Sequence, residues 1–471
     1  MRRRKNNIII IGAGPAGLSC AYKLIHNTNN ARITLFEKNS LVGGLARTYK
    51  FKDFFFDIGP HRFFTKNIII ENIWKKILGS QLISVKRSTS ILFKNTFFKY
   101  PITIDAIIKL GFFDSLACLY SYLKARVVYS KVKPKTFEEW VTKYFGKKIY
   151  TIFFKTYTEK VWGIPCNKIG AEWAAQRIKN LDFTQVILNI LLRKNKVKTL
   201  ADKFYYPVQG AGMFYSKISS LIKNKGIAIE LEKKVSEIIC HDNKVTKIMY
   251  SGKKRRKYIN VDYLFSSMPI TQLILSLKPI PPKVVLYAAK KLYFRDHITV
   301  NFIVKNINLF IDNWIYIHSP EVAMARVTNY NSFSRRSLKK KYAAISVEYF
   351  VFKDDAIWKL TDDQIMKLAV SELVKVRLIS KTMIRDGFVV RETESYPTYY
   401  LGHKKYFNII KNYVKKIKNV SFIGRGGMYK YNNMDHSMLS GILAAENYIA
   451  NQELHNIWEI NEDRDYIEAY K

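Results

Sequence analysis

Acidic residues are scarce in this chain. Thirty-seven Asp and Glu stand against 79 Lys and Arg, a formal net charge of +42 over 471 residues. Cysteine is scarcer still, with Cys20, Cys118, Cys166 and Cys240 widely scattered. That spacing excludes a disulfide framework and a metal-ligand set, and it suits a reducing cytosol, so the expectation is a cytoplasmic protein without a structural metal. No run of eighteen or more apolar residues stands free of charge, which predicts no transmembrane helix. Internal repeats, low-complexity stretches and Pro/Gly/Ser-rich linkers are missing too, so any second domain should be inserted into the first and not strung behind it. What is plentiful is apolar: 48% of residues are hydrophobic, ample for a large core.

The charge admits two readings. A binder of nucleic acid or of an anionic membrane would carry such an excess. So would a chain whose composition follows A/T-rich codons, and this one is visibly rich in Lys, Asn, Ile, Phe and Tyr. The lysines are spread over the whole length and no nucleic-acid module is recognisable. The compositional reading is therefore preferred, with no specific nucleic-acid partner and a weak attraction to anionic surfaces as a by-product.

The most informative stretch is 8–37, IIIIGAGPAGLSCAYKLIHNTNNARITLFE. Four isoleucines form a short buried strand. Gly12, Gly14 and Gly17 follow in the pattern G-x-G-x-x-G, then a helical segment, then a second apolar strand ending at Glu37. Gly12 allows the tight turn, Gly14 lets the backbone approach a pyrophosphate, and Gly17 allows helix to pack closely on strand. The helix N-terminus offers N–H groups to the phosphates, and Glu37 stands where an acid takes the ribose hydroxyls. Basic residues before an apolar run would also suit a secretory signal, but an acid-tipped second strand has no place in one.

Further along, Gly43 and Gly44 with Arg47 read either as a second phosphate-contacting turn, Arg47 supplying a charged contact, or as a turn alone. His61 and Arg62 lie among aromatics at 54–64. Helical periods fill 102–132 and 137–150, an aromatic-rich stretch occupies 153–165, and 172–178 again looks helical. Strands are predicted at 227–231, 235–241, 245–250 and 260–267, completing the sheet begun at residue 8. A second sheet is predicted from strands at 298–304, 314–318, 323–328 and 343–350, then a helix over 362–376 with acids at its start. Near the end, a strand at 420–425 enters a glycine turn, and 426–437 opens a helix running to 450. Its N-terminus would suit the pyrimidine edge of a flavin, where negative charge develops on reduction. The residues from 451 read as a polar tail without chemistry.

Together these stretches resemble the flavoproteins of the amine oxidase and protoporphyrinogen oxidase superfamily and, within it, the UDP-galactopyranose mutases. The cofactor motifs at 12–17 and 43–47 carry the broad resemblance. The narrower one rests on Gly59-Pro-His61, Lys160-Val-Trp-Gly-Ile-Pro165 with Trp173 and Arg177, Ala325-Arg-Val-Thr-Asn-Tyr330, Gly424-Arg-Gly-Gly-Met-Tyr-Lys-Tyr431, and Met434-Asp-His-Ser437. Pro60 replaces a glycine of the mutase pattern, and Thr158 stands where some mutases carry asparagine. The resemblance implies an α/β fold: a Rossmann-like FAD-binding domain of the glutathione-reductase-like flavoprotein type, with an inserted helical region and a second mixed sheet forming the substrate domain. Expected boundaries are 1–99, 201–270 and 411–450 for the FAD domain, 100–200 for the helical insertion, 271–410 for the substrate domain and 451–471 for the tail. FAD is expected over NAD, since a nicotinamide dinucleotide needs neither the second glycine turn nor the C-terminal strand–turn–helix.

The resemblance also implies roles. Gly12, Gly14, Gly17, Glu37, Gly43, Gly44, Arg47, Val235, Gly424, Arg425, Met434 and Asp435 would hold FAD. His61 would lie beside the isoalloxazine. Arg177 and Arg326 would clamp a diphosphate, and Trp162, Tyr396 and Tyr431 would contact the substrate, a nucleotide sugar. The implied reaction is a ring contraction through reduced flavin N5 without net redox change, serving polysaccharide synthesis. From the residues alone, Arg177 reads equally as a solvated charge and Trp162 as core. Arg326 among apolar neighbours is harder to set aside, because a buried guanidinium needs an anion. An oxidoreductase of the same fold is the competing reading and requires no paired arginines. A non-enzymatic basic protein is the third, and the cofactor motifs argue against it.

Overall fold

Ile8, Ile9, Ile10 and Ile11 are all buried, and a strand with β-branched residues on both faces is satisfied only inside a covered parallel sheet. The computed structural model describes residues 5–25, 31–100, 106, 109–178, 203–252, 255–305, 309–334 and 341–461, and none of their helices is long and apolar enough to cross a membrane. The strand Asn6–Ile11 forms the middle of a five-stranded sheet, between Ala31–Phe36 and Tyr263–Ser266, with Ala228–Glu230 and Val420–Phe422 at the edges. All four pairings are parallel. The helix Pro15–Ile25 packs against the helix Met434–Ala450. A Cβ at Gly17 would lie 1.9 Å from the Gly12 carbonyl oxygen, and one at Gly441 would lie 2.1 Å from that of Ala16. The first and last parts of the chain therefore close one unit at a contact distance that only bare backbone permits.

The predicted strand series at 227–267 divides between two sheets. Ala228–Glu230 and Tyr263–Ser266 enter the parallel sheet, whereas Lys234–His241 and Lys244–Ser251 form an antiparallel layer with Arg256–Asn260 and a short pairing to Leu277–Lys278. The run read as one strand over 260–267 breaks after Asn260. There the Asp262 carboxylate accepts from Asn7 N at 2.7 Å and Asp262 N donates to Asn7 O, which hands the chain to the parallel sheet.

The second sheet has seven strands, in the order Ile384–Pro397, Phe294–Lys305, Tyr342–Val351, Arg326–Asn329, Trp314–Ile317, Thr89–Phe93, Thr96–Lys99. It is mixed: Trp314–Ile317 runs parallel to Thr89–Phe93 and the other pairs are antiparallel. The sequence pattern does not mark the Ile384–Pro397 strand, because Arg385, Asp386, Arg391, Glu392 and Glu394 interrupt its apolar residues.

After the strand Thr96–Lys99 the chain forms the helices Phe112–Val128, Phe137–Phe145, Lys147–Tyr150, Thr156–Trp162 and Ala171–Ile178, with a π turn at Thr151–Lys155. The helix expected over 137–150 breaks at Gly146 (φ +83°), where a Cβ would meet the Ser121 and Tyr122 backbone at 2.7 Å. The end of the expected insertion, 179–202, lies outside the described residues. The helix Asp362–Lys375 starts on a reciprocal cap: Thr361 Oγ1 accepts from Gln364 N, and Gln364 Oε1 accepts from Thr361 N. The helix expected from 426 begins at Met434, after a single turn at Gly424–Gly427. The expected tail is not wholly idle, since Ile457, Trp458 and Ile460 are buried and Lys430 Nζ donates to the Trp458 and Ile460 carbonyls.

Candidate active site

One cavity of about 900 Å³ is lined by residues of both the glycine loops and the seven-stranded sheet. Its first group of lining residues comes from the parallel sheet. Gly12 turns at φ +98°, and a Cβ there would lie 2.1 Å from Ser267 Oγ. The two glycine turns cross at Gly14 and Gly44: a Cβ on Gly44 would lie 3.0 Å from Gly14 Cα, and Gly43 N donates to Ala13 O. Glu37 is buried against the first loop, its Oε2 accepting from Ala13 N at 2.8 Å and its Oε1 from Asn39 N at 2.9 Å. Lys234, Val235, Met268, Met434 and Asp435 line the same cavity.

Two bare glycine turns, a helix that starts beside them with proline in its first position and an acid at the end of the second strand fit the pyrophosphate and ribose of a dinucleotide. Gly17 serves the packing of helix on strand and is not among the cavity's lining residues. Gly43 (φ +107°) sits behind the crossing, close to the Arg47 backbone. Arg47 turns its guanidinium to the protein: Nη1 donates to Gly44 O, Nε to Tyr49 Oη, and Nη2 pairs with Glu392. Gly424 (φ +71°) donates its N–H to Ser440 Oγ, and a Cβ there would touch Ala16 Cβ at 2.9 Å.

The second group gathers aromatics around arginines. Tyr396 and Tyr431 stack at 5.3 Å, and the Arg425 guanidinium lies 4.9 Å from the centre of each ring. Arg425 is held there by the Asn432 and Ser395 carbonyls. Trp162 contacts Trp173 edge-on at 4.6 Å and Tyr431 at 6.0 Å. The structure thus brings Trp162, Tyr396 and Tyr431 together, and it adds Tyr157, stacked on His318 at 5.0 Å. Burial pushes the Tyr157 phenol well above its ordinary pKa, so it stays protonated.

Arg326 lies directly opposite Glu348 on the neighbouring strand, and its Nε and Nη2 meet the two carboxylate oxygens. His297 Nε2 reaches Glu348 Oε2 at 3.0 Å. Burial alone would raise the Glu348 pKa, but Arg326 and His297 override it and bring it to about 2. The anion that the half-buried Arg326 requires is therefore supplied first by the protein. Gly59 (φ +84°) lets the chain pass over this pair, where a Cβ would lie 2.7 Å from Glu348 Oε2. Beside it, His61 is pushed down to about 3, by burial foremost and then by Arg425, so its ring is neutral. Its buried Nδ1 has no hydrogen-bond partner among the described residues. The helix Ala171–Ile178 carries Arg177, whose side chain lies outside the described residues.

Glu348, Glu392, Tyr157 and Lys160 are residues at or behind the site to which the sequence reading assigns no role, although Lys160 opens one of its motifs. Lys160 Nζ donates to the carbonyls of Ile317, Ser319 and Met324, tying the helix that carries Trp162 to the seven-stranded sheet. Arg295 fastens the end of that helix through the Lys160 and Val161 carbonyls, and it passes so close to Gly163 (φ +67°) that a Cβ there would lie 2.3 Å from Nη1. A lone acid within the apolar run 343–350 was the available signal for Glu348.

The fold is Rossmann-like in its parallel sheet and amine-oxidase-like as a whole, and the cradle fits a dinucleotide. The NAD(P)-binding Rossmann-like domain family matches residues 10–77. Among characterised sequences, the chain is 26% identical over 243 residues to the "Probable UDP-galactopyranose mutase" of Klebsiella pneumoniae, covering 48% of this chain and 56% of that one. It is 24% identical over 278 residues to the coproporphyrinogen III oxidase of Staphylococcus aureus, covering 54% and 59%. The chain thus spans little more than half the length of these two relatives. Among solved structures, a reduced UDP-galactopyranose mutase superposes with a TM-score of 0.85 at 20% identity, over 99% of both chains.

Proposed function

We propose that this chain is an FAD-dependent enzyme and, within that class, a nucleotide-sugar mutase of the UDP-galactopyranose mutase kind. The carrying observation is that one cavity joins the glycine-loop cradle to a chamber walled by Arg326 and stacked tyrosines. Similarity to the Klebsiella pneumoniae protein and to the reduced mutase structure supports the reading. Residues 1–88, 201–270 and 411–450 serve the cofactor, and 100–200 and 271–410 serve the substrate together with 89–99, which the expected boundary at 99 gave to the cofactor but whose strands join the mixed sheet. Reduced flavin, when bound, would supply a nucleophile for the anomeric carbon with no net redox change. Gly12, Gly14, Gly44 and Glu37 hold the dinucleotide, with Val235, Met434 and Asp435 along it. His61, neutral and half-buried, lines the cavity under the influence of Arg425 and Arg326 and contributes no charge to the reacting centre. Arg326, kept in place by Glu348, and Arg177 hold the departing diphosphate so that it can return. Trp162, Tyr396 and Tyr431 exclude water around the sugar.

A second reading, an oxidoreductase of the same fold, draws support from Glu348: since it already balances Arg326, the arginine alone does not demand an anionic substrate. The two readings separate on variants. Arg326→Lys keeps a cation beside Glu348 but loses the fork, and Arg177→Ala removes the other clamp. Both should retain flavin, and each should cut mutase turnover by on the order of a hundredfold. Stopped-flow flavin reduction and turnover, measured on the same variants, make the comparison. Full mutase turnover in both variants would remove the clamp assignment.

A further inference from the structure

The helix Phe112–Val128 presents two unlike faces. Its inner face, Cys118, Tyr122 and Ala125, is buried among Phe137, Val141 and Ile149. Its outer face carries Phe112, Leu116, Leu119, Tyr120, Leu123 and Val127, all exposed, with Phe112 at 72% and Val127 at 78%. At helical spacing these six fall within a sector about 100° wide. Phe113, 86% exposed, stands at its start. Apolar stripes of this size are rarely left to water on a soluble chain.

What surrounds the stripe is basic. Residues 109–148 hold nine Lys and Arg against three acids. The helix's single acid, Asp114, is neutralised by Lys148 at 2.8 Å. Lys109 and Lys124 are exposed, and so are Lys131 and Lys133 in the loop after the helix. Lys143 holds that loop through the Ser130 and Val132 carbonyls. A second copy of the chain would bring +42 against +42 and oppose like charge around the seam. A nucleic acid would answer the charge but leave the stripe in water. An anionic bilayer answers both: acyl chains take the Phe/Leu/Val stripe while headgroups meet the lysine rim, with the helix lying in the plane of the interface.

We propose that the face Phe112–Val128 docks this protein peripherally on an anionic lipid surface. The test is flotation of the full chain with vesicles of phosphatidylglycerol and phosphatidylcholine in equal parts, against vesicles of phosphatidylcholine alone. Binding is expected to the anionic vesicles only, and salt should weaken it. The double substitution Leu116→Glu/Leu123→Glu, at exposed positions and checked for an unchanged thermal melt, should lower vesicle affinity by at least about tenfold. Val127→Asp serves if the double variant does not fold, and Lys124→Glu/Lys131→Glu should weaken binding through the rim. The proposal is overturned if wild type ignores anionic vesicles, if the apolar variants bind like wild type, or if sedimentation shows that the stripe seals a dimer which Leu116→Glu/Leu123→Glu dissociates.

Discussion

A carboxylate without exposed surface, Glu348, holds Arg326 in a two-point pair and also meets His297 at Oε2. Removing one member of such a pair leaves a buried charge that costs about 3–5 kcal/mol, so Arg326→Ala would confound instability with lost chemistry and Arg326→Lys is the cleaner probe. Glu37 holds the loop through Ala13 N and Asn39 N, and in the proposed site it also takes the ribose. Glu37→Ala should weaken FAD retention by roughly 1.5–3 kcal/mol, read by equilibrium dialysis of the flavin; unchanged retention would remove it from the cofactor site. Asp57 is buried, and burial raises its pKa to about 7 even though Thr48, Tyr206 and Ala211 donate to it. The folded protein therefore binds a proton that the unfolded chain releases near its ordinary 3.8, and stability falls as pH rises through that window. Asp57→Asn should flatten the decline of melting temperature between about pH 4 and 7, whereas an unchanged slope would place the titration elsewhere.

The contact between the helices Pro15–Ile25 and Met434–Ala450 depends on Gly441, whose added Cβ would lie 2.1 Å from the Ala16 carbonyl oxygen. Gly441→Val should part the helices and lower stability by about 1–3 kcal/mol, measured by urea unfolding, and a neutral result would mean the contact yields freely. At this scale the sequence was legible wherever the signal was local. The strand–glycine–helix–strand unit at 8–37 reads correctly because its four parts are contiguous and each has one physical task. Element ends were less legible: Gly146 looks like any residue within a helical period until Ser121 and Tyr122 are seen against it. The strand Ile384–Pro397 escapes because its charges are satisfied across the fold, Glu392 by Arg47, which is 345 residues away. The Arg326–Glu348 pair escapes for the same reason, since only sheet register sets the two side by side.

Across the whole molecule, two sheets built from interleaved segments of the chain meet around one cavity, which explains why no linker composition marks a boundary. The parallel sheet draws strands from residues 6, 31, 228, 263 and 420 onward, and the mixed sheet takes in residues 89–99 as well as 294–397. Distant segments must therefore come together before either half of the cavity exists. In the proposed function, cradle and chamber work on one substrate, a nucleotide sugar, with flavin in its reduced form. The most direct measurement is chromatographic: purified, FAD-loaded protein is incubated with UDP-galactose, oxidised in one sample and reduced with dithionite in the other. The furanose form is expected only in the reduced sample, with flavin still reduced at the end. No ring contraction in the reduced sample, together with flavin reduction by some other small molecule in the oxidised one, would contradict it and leave the oxidoreductase reading in its place.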